Sequence, residues 1–383
     1  MIQNQLSDSK FDEVRTRRDF LELVMKAGTL ATLPTIWSCA YPAKVSTQNT
    51  IWSEDFRIID NNRQAQMREL IRYATLAPSG HNTQPWIFSI VENTIRVYPD
   101  YSRKLSVADP DNRELFISLG CAIENLLIAA RHVGLEGHIE YNPQWDSTES
   151  LVVVFSPVRN SASNILFDAI PKRHTNRRPF NLLPISVKEF KKLDLIPLED
   201  GISKILITDR KDFMPVIEMA TAATKAQWEK DGFKKELSNW LRFNDAEIAR
   251  SKDGLTVHAL NKTSVPGWLG RMFLRFFADG DSEAAKEADL LKSASALMLL
   301  VSDKDDKNAW VDLGRSFERL ALAATALNIM HAHHNQPCEV PEVKLELASH
   351  LSVGDAYPQL LVRLGYTKPM PHSPRRPVED VIV

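Results

Sequence analysis

The sequence predicts an α+β protein built from two related halves fused in one chain, a pseudo-dimer, with a long inserted stretch. Three observations predict it. Leu119, Gly120, Glu124, Leu126, Ala129 and Ala130 recur as Leu313, Gly314, Glu318, Leu320, Ala323 and Ala324, each pair 194 residues apart without a gap. Apolar runs of strand length accompany both copies, at 151–155 after the first, and at 296–301 and 360–364 around the second. Residues 182–290 have no counterpart in the first half. Like subunits that complement one another are the common oligomer, and fusing such a pair is a small further step.

Length and composition narrow the function. The 383 residues allow one large domain or two ordinary ones, ample for a buried core. Lys+Arg 47 against Asp+Glu 49, net −2, argues against a general nucleic-acid binder. With 44% hydrophobic and 25% charged residues the chain is a folded protein, not a disordered one. Cys39, Cys121 and Cys338 cannot make a disulfide framework, and the absence of any CxxC excludes a zinc ribbon or a thioredoxin-type site.

The first element is an address. Thr16-Arg17-Arg18-Asp19-Phe20-Leu21 precedes an apolar stretch, 21–37, broken by Glu22, Lys26 and Pro34. It is too short and broken for a permanent transmembrane helix. An arginine pair before a short apolar stretch looks like a twin-arginine export signal, assigned to 1–40, with the twin-arginine export machinery as its partner. That route carries folded proteins, often with a cofactor inside. Ile36-Trp37-Ser38-Cys39 also resembles a lipoprotein cleavage box, although Trp37 is awkward within it. Cys39 is therefore either a lipid anchor or part of a simple cleaved signal. The expected location is periplasmic, free or anchored at the membrane.

Residues 41–56, polar and poor in helix formers, read as a linker. The first half is assigned to 57–170 and the second to 171–383. Met67, Leu70, Ile71 and Ala74 carry helical spacing over 64–76, and Ala77-Pro78-Ser79-Gly80 stops that helix. Residues 86–91 and 94–98 read as strands around a turn at Glu92-Asn93, and 112–133 as a strong helix. The insertion is charged and rich in aromatics, among them Trp228, Phe233, Trp240, Trp268, Phe273 and Phe276. It is either a lid over a site or an excursion packed on the core.

Three short motifs carry chemistry. Pro78-Ser79-Gly80-His81-Asn82-Thr83-Gln84-Pro85-Trp86 leaves a helix and enters a strand. Asn82 and Gln84 each offer a carbonyl acceptor and an amide donor, suited to a heterocycle edge that alternates N–H and C=O. Lys172-Arg173-His174-Thr175-Asn176-Arg177-Arg178 gathers cations and a hydroxyl, which suits a phosphate, although such a run also serves as a solvated linker. Ser373-Pro374-Arg375-Arg376-Pro377 is, alone, a basic tail.

Together these motifs resemble the FMN-binding nitroreductase superfamily, and within it the twin-repeat Acg-type group. The likeness covers about 60–383 and is weakest over 182–290. It implies a nitroreductase-like α+β fold with FMN between the halves. By position it assigns Arg173, His174, Thr175 and Arg177 to the segment facing the phosphate, joined by Arg375 and Arg376. It assigns Pro78, Ser79, Asn82 and Gln84 to the flavin ring, and Gln336, with Pro337, to the vicinity of the reactive N5. Each motif occurs once, so one FMN is expected, not two.

The resemblance implies an exported FMN-dependent oxidoreductase that reduces nitro- or quinone-like small molecules, with a small-molecule substrate or electron donor as partner. The alternative is a non-catalytic FMN-sequestering or storage protein, since an exported protein lacks ready NAD(P)H and the insertion is long enough to close over the flavin. No catalytic residue is assigned, because the flavin would carry the chemistry. His331, His333, His334 and Glu339 raise a metal reading, but adjacent histidines diverge and no further ligand has paired spacing, so no metal site is assigned. Cys121 reads as a buried inert thiol. Glu124 and Glu318 read as interhelix contacts, not as catalytic carboxylates.

Overall fold

The computed structural model describes residues 51–56, 62–141, 150–158 and 164–383. The stretch expected to be an export signal, with its arginine pair and Cys39, lies outside the described residues. α1 (Arg63–Thr75) is capped by Asn62, whose side chain accepts from the Ala65 amide, and buries the predicted stripe Met67, Leu70, Ile71 and Ala74. β1 (Trp86–Val91) and β2 (Thr94–Pro99) form the predicted hairpin. α2 (Arg113–His132) follows, then β3 (Leu135–Glu140) and β4 (Leu151–Pro157). The four strands make an antiparallel sheet in the order β1-β2-β4-β3. A short α3 (Ile165–Ala169) leads into the basic segment.

The second half opens with α4 (Val187–Asp194), fixed by a capping box between Ser186 and Glu189, and β5 (Ile202–Ile207). An excursion holds α5 (Arg210–Glu229), α6 (Phe233–Trp240), β6 (Leu241–Arg242), α7 (Asp245–Ser251), β7 (Leu255–Thr256), α8 (Gly267–Phe276) and α9 (Gly280–Lys292). Then come β8 (Ala296–Ser302), α10 (Lys307–Ala326), β9 (Met330–His333), α11 (Gln336–Glu339), α12 (Pro341–His350) and β10 (Tyr357–Gly365). The second sheet is antiparallel in the order β5-β8-β10-β9. Strand for strand this is the first sheet again, with α2 and α10, the two copies of the repeated segment, in the same place.

This topology moves the boundary of the insertion. The sequence set 182–290 apart, yet α4 and β5 correspond to α1 and β1, and only the stretch between β5 and β8 is extra. Short elements of different sequence left no repeat signal, although the backbone pairs them identically. The excursion also explains an asymmetry in burial. β2, the counterpart of β8, buries only Ile95 and Val97, whereas every residue of β8 is buried. Ala296, Met298 and Leu300 face the main core, while Leu297, Leu299 and Val301 face a second core with Phe213, Ala220 and Leu291 of α5 and α9. Alternate side chains leave opposite faces of a strand, so covering both faces buries all of them. The excursion is thus partly a packing layer.

Residues 51–56 also differ from their reading as linker. Arg72 of α1 is buried and donates to the carbonyls of Ile51 (2.6 Å), Ser53 (3.2 Å) and Asp55 (3.3 Å), while the Tyr73 hydroxyl donates to that of Glu54 (3.2 Å). A buried guanidinium needs acceptors, and this strap supplies them.

Candidate functional site

A cavity of about 370 Å³ opens between the halves, walled by both and by the excursion. The first half contributes Pro78 to Asn82 and one face of α2: Glu114, Ile117, Ser118 and Cys121. The second contributes Arg173, His174, Thr175 and Arg177, with Phe317, His333, Asn335, Gln336 and Glu339. Pro371 to Ser373 and Arg375 close one side, and Trp228, Phe233, Leu237, Leu255 and Leu260 of the excursion lie across another.

The loop after α1 is strained. His81, Asn82 and Gln84 all have positive φ (48°, 55° and 53°), which costs a non-glycine residue about 1 kcal/mol or more each. Hydrogen bonds hold it there. The Gln84 amide donates to Ser79 Oγ (3.0 Å). Asn82 Nδ2 donates to the carbonyls of Gly254 (3.1 Å) and Pro374 (3.2 Å), and Asn82 Oδ1 accepts from Arg375 (2.8 Å). Strain kept in place by so many contacts marks loops under functional constraint.

Three arginines give the cavity a positive end. Arg173 is buried, pairs with Glu318 (3.2 Å) and donates to the Leu76 carbonyl (3.0 Å), but its Nη1 has no hydrogen-bond partner. The Arg177 guanidinium makes no hydrogen bond to the described residues, and burial lowers its pKa to about 10. Arg375 donates to the carbonyls of Thr75 (2.7 Å), Leu76 (3.1 Å) and Ala77 (3.0 Å), closing the C-terminal end of α1. Burial and the Arg173 charge lower it to about 9. The same burial and positive field keep the nearby imidazoles neutral. His81 falls to about 4 through burial and Arg177, and His333 to about 3 through burial, Arg177 and Arg173. Such a site favours an anion.

Carboxyl groups lie elsewhere on the wall. Burial first, then the charge and hydrogen bond of Glu339, raise Glu114 to about 8. Glu114 accepts from Asn335 Nδ2, and Glu339 accepts from Gln227 (2.5 Å). Burial raises Glu318 to about 7 against the pull of Arg173.

Of the residues assigned from sequence, Pro78, Ser79, Asn82, Arg173, His174, Thr175, Arg177, Gln336 and Arg375 line the cavity. Gln84 and Arg376 do not. Gln84 is fully buried, donates to the Lys252 carbonyl (3.0 Å) and accepts from the Arg376 amide (2.8 Å), and Arg376 turns to the Gln84 and Asp380 carbonyls. The polar atoms of Asn82 and all N–H groups of Arg375 are likewise taken by protein partners. The amides of Asn82 and Gln84, expected to face a heterocycle, and the guanidinium groups of Arg375 and Arg376, expected to reach a phosphate, are thus engaged by protein partners. Once the excursion packs on this loop, buried amides must be satisfied, and main-chain carbonyls satisfy them. His174 is also committed, its Nδ1 to the Lys172 carbonyl (3.0 Å) and its Nε2 to the Met370 amide (3.1 Å).

Sequence reasoning missed Trp52, which lines the cavity and stacks on His372 at 4.1 Å between ring centroids. It also missed Glu114 and Gln227, which only tertiary packing brings to Glu339. His334 is committed elsewhere, donating to Glu287 and accepting from Arg363 Nε (2.7 Å).

No family model matches the chain. Two Mycobacterium tuberculosis H37Rv relatives share its sequence along most of their length. One, "Putative NAD(P)H nitroreductase Rv3131", is 23% identical over 325 residues, 82% of this chain and 90% of the relative. The other, "Putative NAD(P)H nitroreductase acg", is 24% identical over 323 residues, 82% of this chain and 94% of the relative. Among solved structures, an FMN-bound nitroreductase from Desulfitobacterium hafniense aligns with a TM-score of 0.37 and 16% identity, over 58% of this chain and 98% of that one. The FMN-dependent nitroreductase NfnB from Mycobacterium smegmatis, in complex with NADPH, aligns with a TM-score of 0.35 and 13% identity, over 53% and 88%. Over 82% of its length, then, this chain is similar in sequence to proteins named as putative NAD(P)H nitroreductases, acg among them.

Proposed function

We propose that the chain is an FMN-binding oxidoreductase of the nitroreductase type that holds one FMN in the cavity between its halves and reduces nitro- or quinone-like small molecules. The observation that carries this reading is the uncommitted polar chemistry of the cavity. Arg173 Nη1 is buried without a partner, and the cavity-lining Arg177 guanidinium makes no hydrogen bond among the described residues, which fits a phosphate of charge about −1.5 to −2. Gln336 Oε1 is also buried without a partner, which fits a ring N–H. Bound FMN would supply hydride or electron transfer. The chain would bind it with Arg173 and Arg177, exclude water with Trp228 and Phe233, and hold a proton on the Glu114 carboxyl at neutral pH.

A single cofactor is supported by the pseudo-symmetric position. The counterparts of Cys121 and Asn125, 194 residues on, are Arg315 and Arg319. Both pair with buried Glu124 (3.2 and 3.1 Å), and Arg315 also with Glu199 (2.9 Å). Arg315 thus stands at the position where, in the first copy, the smaller Cys121 lines the cavity.

One observation favours a second reading, FMN sequestration without turnover. The excursion lies across the cavity and is tied to the strained loop through Gly254 and Lys252. The visible spectrum of purified protein, before and after NADPH and then dithionite, separates the two. Flavin bands that bleach with NADPH support the reductase. Bands that bleach only with dithionite support sequestration or another donor. No flavin bands after incubation with FMN would refute both.

Export belongs to the same reading. Arg17-Arg18 ahead of the apolar stretch supports the twin-arginine route and a periplasmic location, with Cys39 as an anchor if it is lipidated. Arg17→Lys with Arg18→Lys should leave the protein in the cytoplasm in a fractionation assay. Cys39→Ala should abolish labelling by a palmitate analogue, and an unlabelled parent would exclude the anchor.

A further inference from the structure

We propose that α8 is a membrane-surface contact that seats the excursion on an anionic lipid bilayer; the proposal does not rest on the cofactor reading. α8 has two apolar sides. Gly270 and Leu274 are buried, and Gly270 presses so closely on the Phe243 ring that a Cβ there would come within 2.2 Å of it. This contact fixes the rotation of the helix. On the opposite side, at 100° per residue, Trp268, Met272, Phe276, Leu269 and Phe273 form one arc of about 140°. Trp268, Phe273 and Phe276 are 69%, 52% and 66% exposed. Aromatic side chains grouped on one fixed helix face mark an interaction site, unlike single exposed residues.

The charge on α8 selects the occupant. Arg271 and Arg275 border the arc, and the helix carries no acidic residue. Arg271 pairs with Glu247 (2.9 Å), while the Arg275 guanidinium lies 5.2 Å from the Phe276 ring centroid. Tryptophan and phenylalanine beside arginine on a helix lying flat suit the boundary between headgroups and acyl chains, and the arginine suits anionic headgroups. A second copy meeting this face across a twofold axis would bring arginine-edged faces together. The inner side of α8 joins Leu241, Phe243 and Val257 in a small core that includes Leu237, Leu255 and Leu260. Those last three line the cavity, so the element seated on lipid is the one that covers it.

Flotation of the full chain with phosphatidylcholine vesicles, with and without phosphatidylglycerol, tests this. The parent should bind phosphatidylglycerol vesicles, less so in high salt. Phe273→Ser with Phe276→Ser should bind roughly tenfold more weakly, and Arg275→Gln several-fold more weakly, at unchanged melting temperature. Residues 1–40 are common to all these proteins, so a difference belongs to α8. Equal binding by parent and variants would overturn the proposal. A parent that sediments as a dimer, with the serine variant a monomer, would overturn it in favour of a second copy.

Discussion

Gly120 and Gly314 meet where α2 crosses α10. A Cβ on Gly120 would sit 2.0 Å from the Val311 carbonyl oxygen, and one on Gly314 would sit 2.0 Å from that of Ile117. Val311 and Ile117 are themselves 194 residues apart, so the contact is its own image under the internal repeat. No side chain fits between α2 and α10 here, and the neighbours are backbone atoms that cannot swing aside. Gly120→Ala or Gly314→Ala should therefore cost about 3 kcal/mol or more, at or above the top of the usual overpacking range. Urea unfolding of each variant checks it, and a loss below about 1 kcal/mol would show that the helices part easily.

Arg177 and Arg375 line the same cavity but should respond differently to removal. Arg177 makes no hydrogen bond to the described residues, whereas Arg375 closes the end of α1 through three carbonyls. Arg177→Ala should leave the melting temperature of the apoprotein unchanged while weakening FMN binding about ten- to hundredfold, the worth of a charge-assisted hydrogen bond. Arg375→Ala should lower stability even without FMN. Flavin fluorescence titration and calorimetry on both variants separate the effects.

Glu114 predicts a pH dependence of stability. Its folded pKa, about 8, lies above the ordinary 4.5 because burial and Glu339 disfavour the anion. Between those values the folded state keeps a proton that the unfolded state has lost. The contribution is therefore complete below about pH 4.5 and disappears as pH rises to about 8. Glu114→Gln keeps an acceptor for Asn335 and removes the titration. Its stability should fall less than the parent's between pH 5 and 8 (roughly the window bounded by the two values). Equal slopes in denaturant titrations across that range would contradict it.

Arg315 and Arg319 hold Glu124 as Arg173 holds Glu318. Arg315→Cys with Arg319→Asn restores the side chains of the first copy but strands a buried carboxylate, which costs about 3–5 kcal/mol. The space so opened has no basic segment beside it. The flavin-to-protein ratio should therefore stay at one, measured by absorbance after reconstitution, while the denaturation midpoint falls.

The helices and strands were legible where spacing repeats strongly. The stripe of α1, the hairpin at Glu92-Asn93 and the long helix α2 follow from periodicity alone, because burial of one face dictates it. The repeat was legible through α2 and α10, whose mutual contact tolerates few side chains. It was not legible in α1 with α4 or β1 with β5, where many apolar residues serve equally. The basic segment was legible as a charge cluster, whereas the fate of Gln84 and Arg376 was not. A buried amide takes whichever partner the fold brings near, and those partners, Lys252 and residue 376 itself, lie far away in the chain.

The sequence by itself determined the duplication, the α+β class and the loop and basic segment that meet at the cavity, since local spacing and residue chemistry are written along the chain. Tertiary structure alone decided which of those residues remain available to a ligand. It drew Asn82, Gln84, Arg375 and Arg376 into hydrogen bonds, left Arg177 and one nitrogen of Arg173 without hydrogen bonds among the described residues, and joined Glu114 to Glu339. Whether a polar group is spent or free depends on what is packed against it, and packing joins residues that the chain holds far apart.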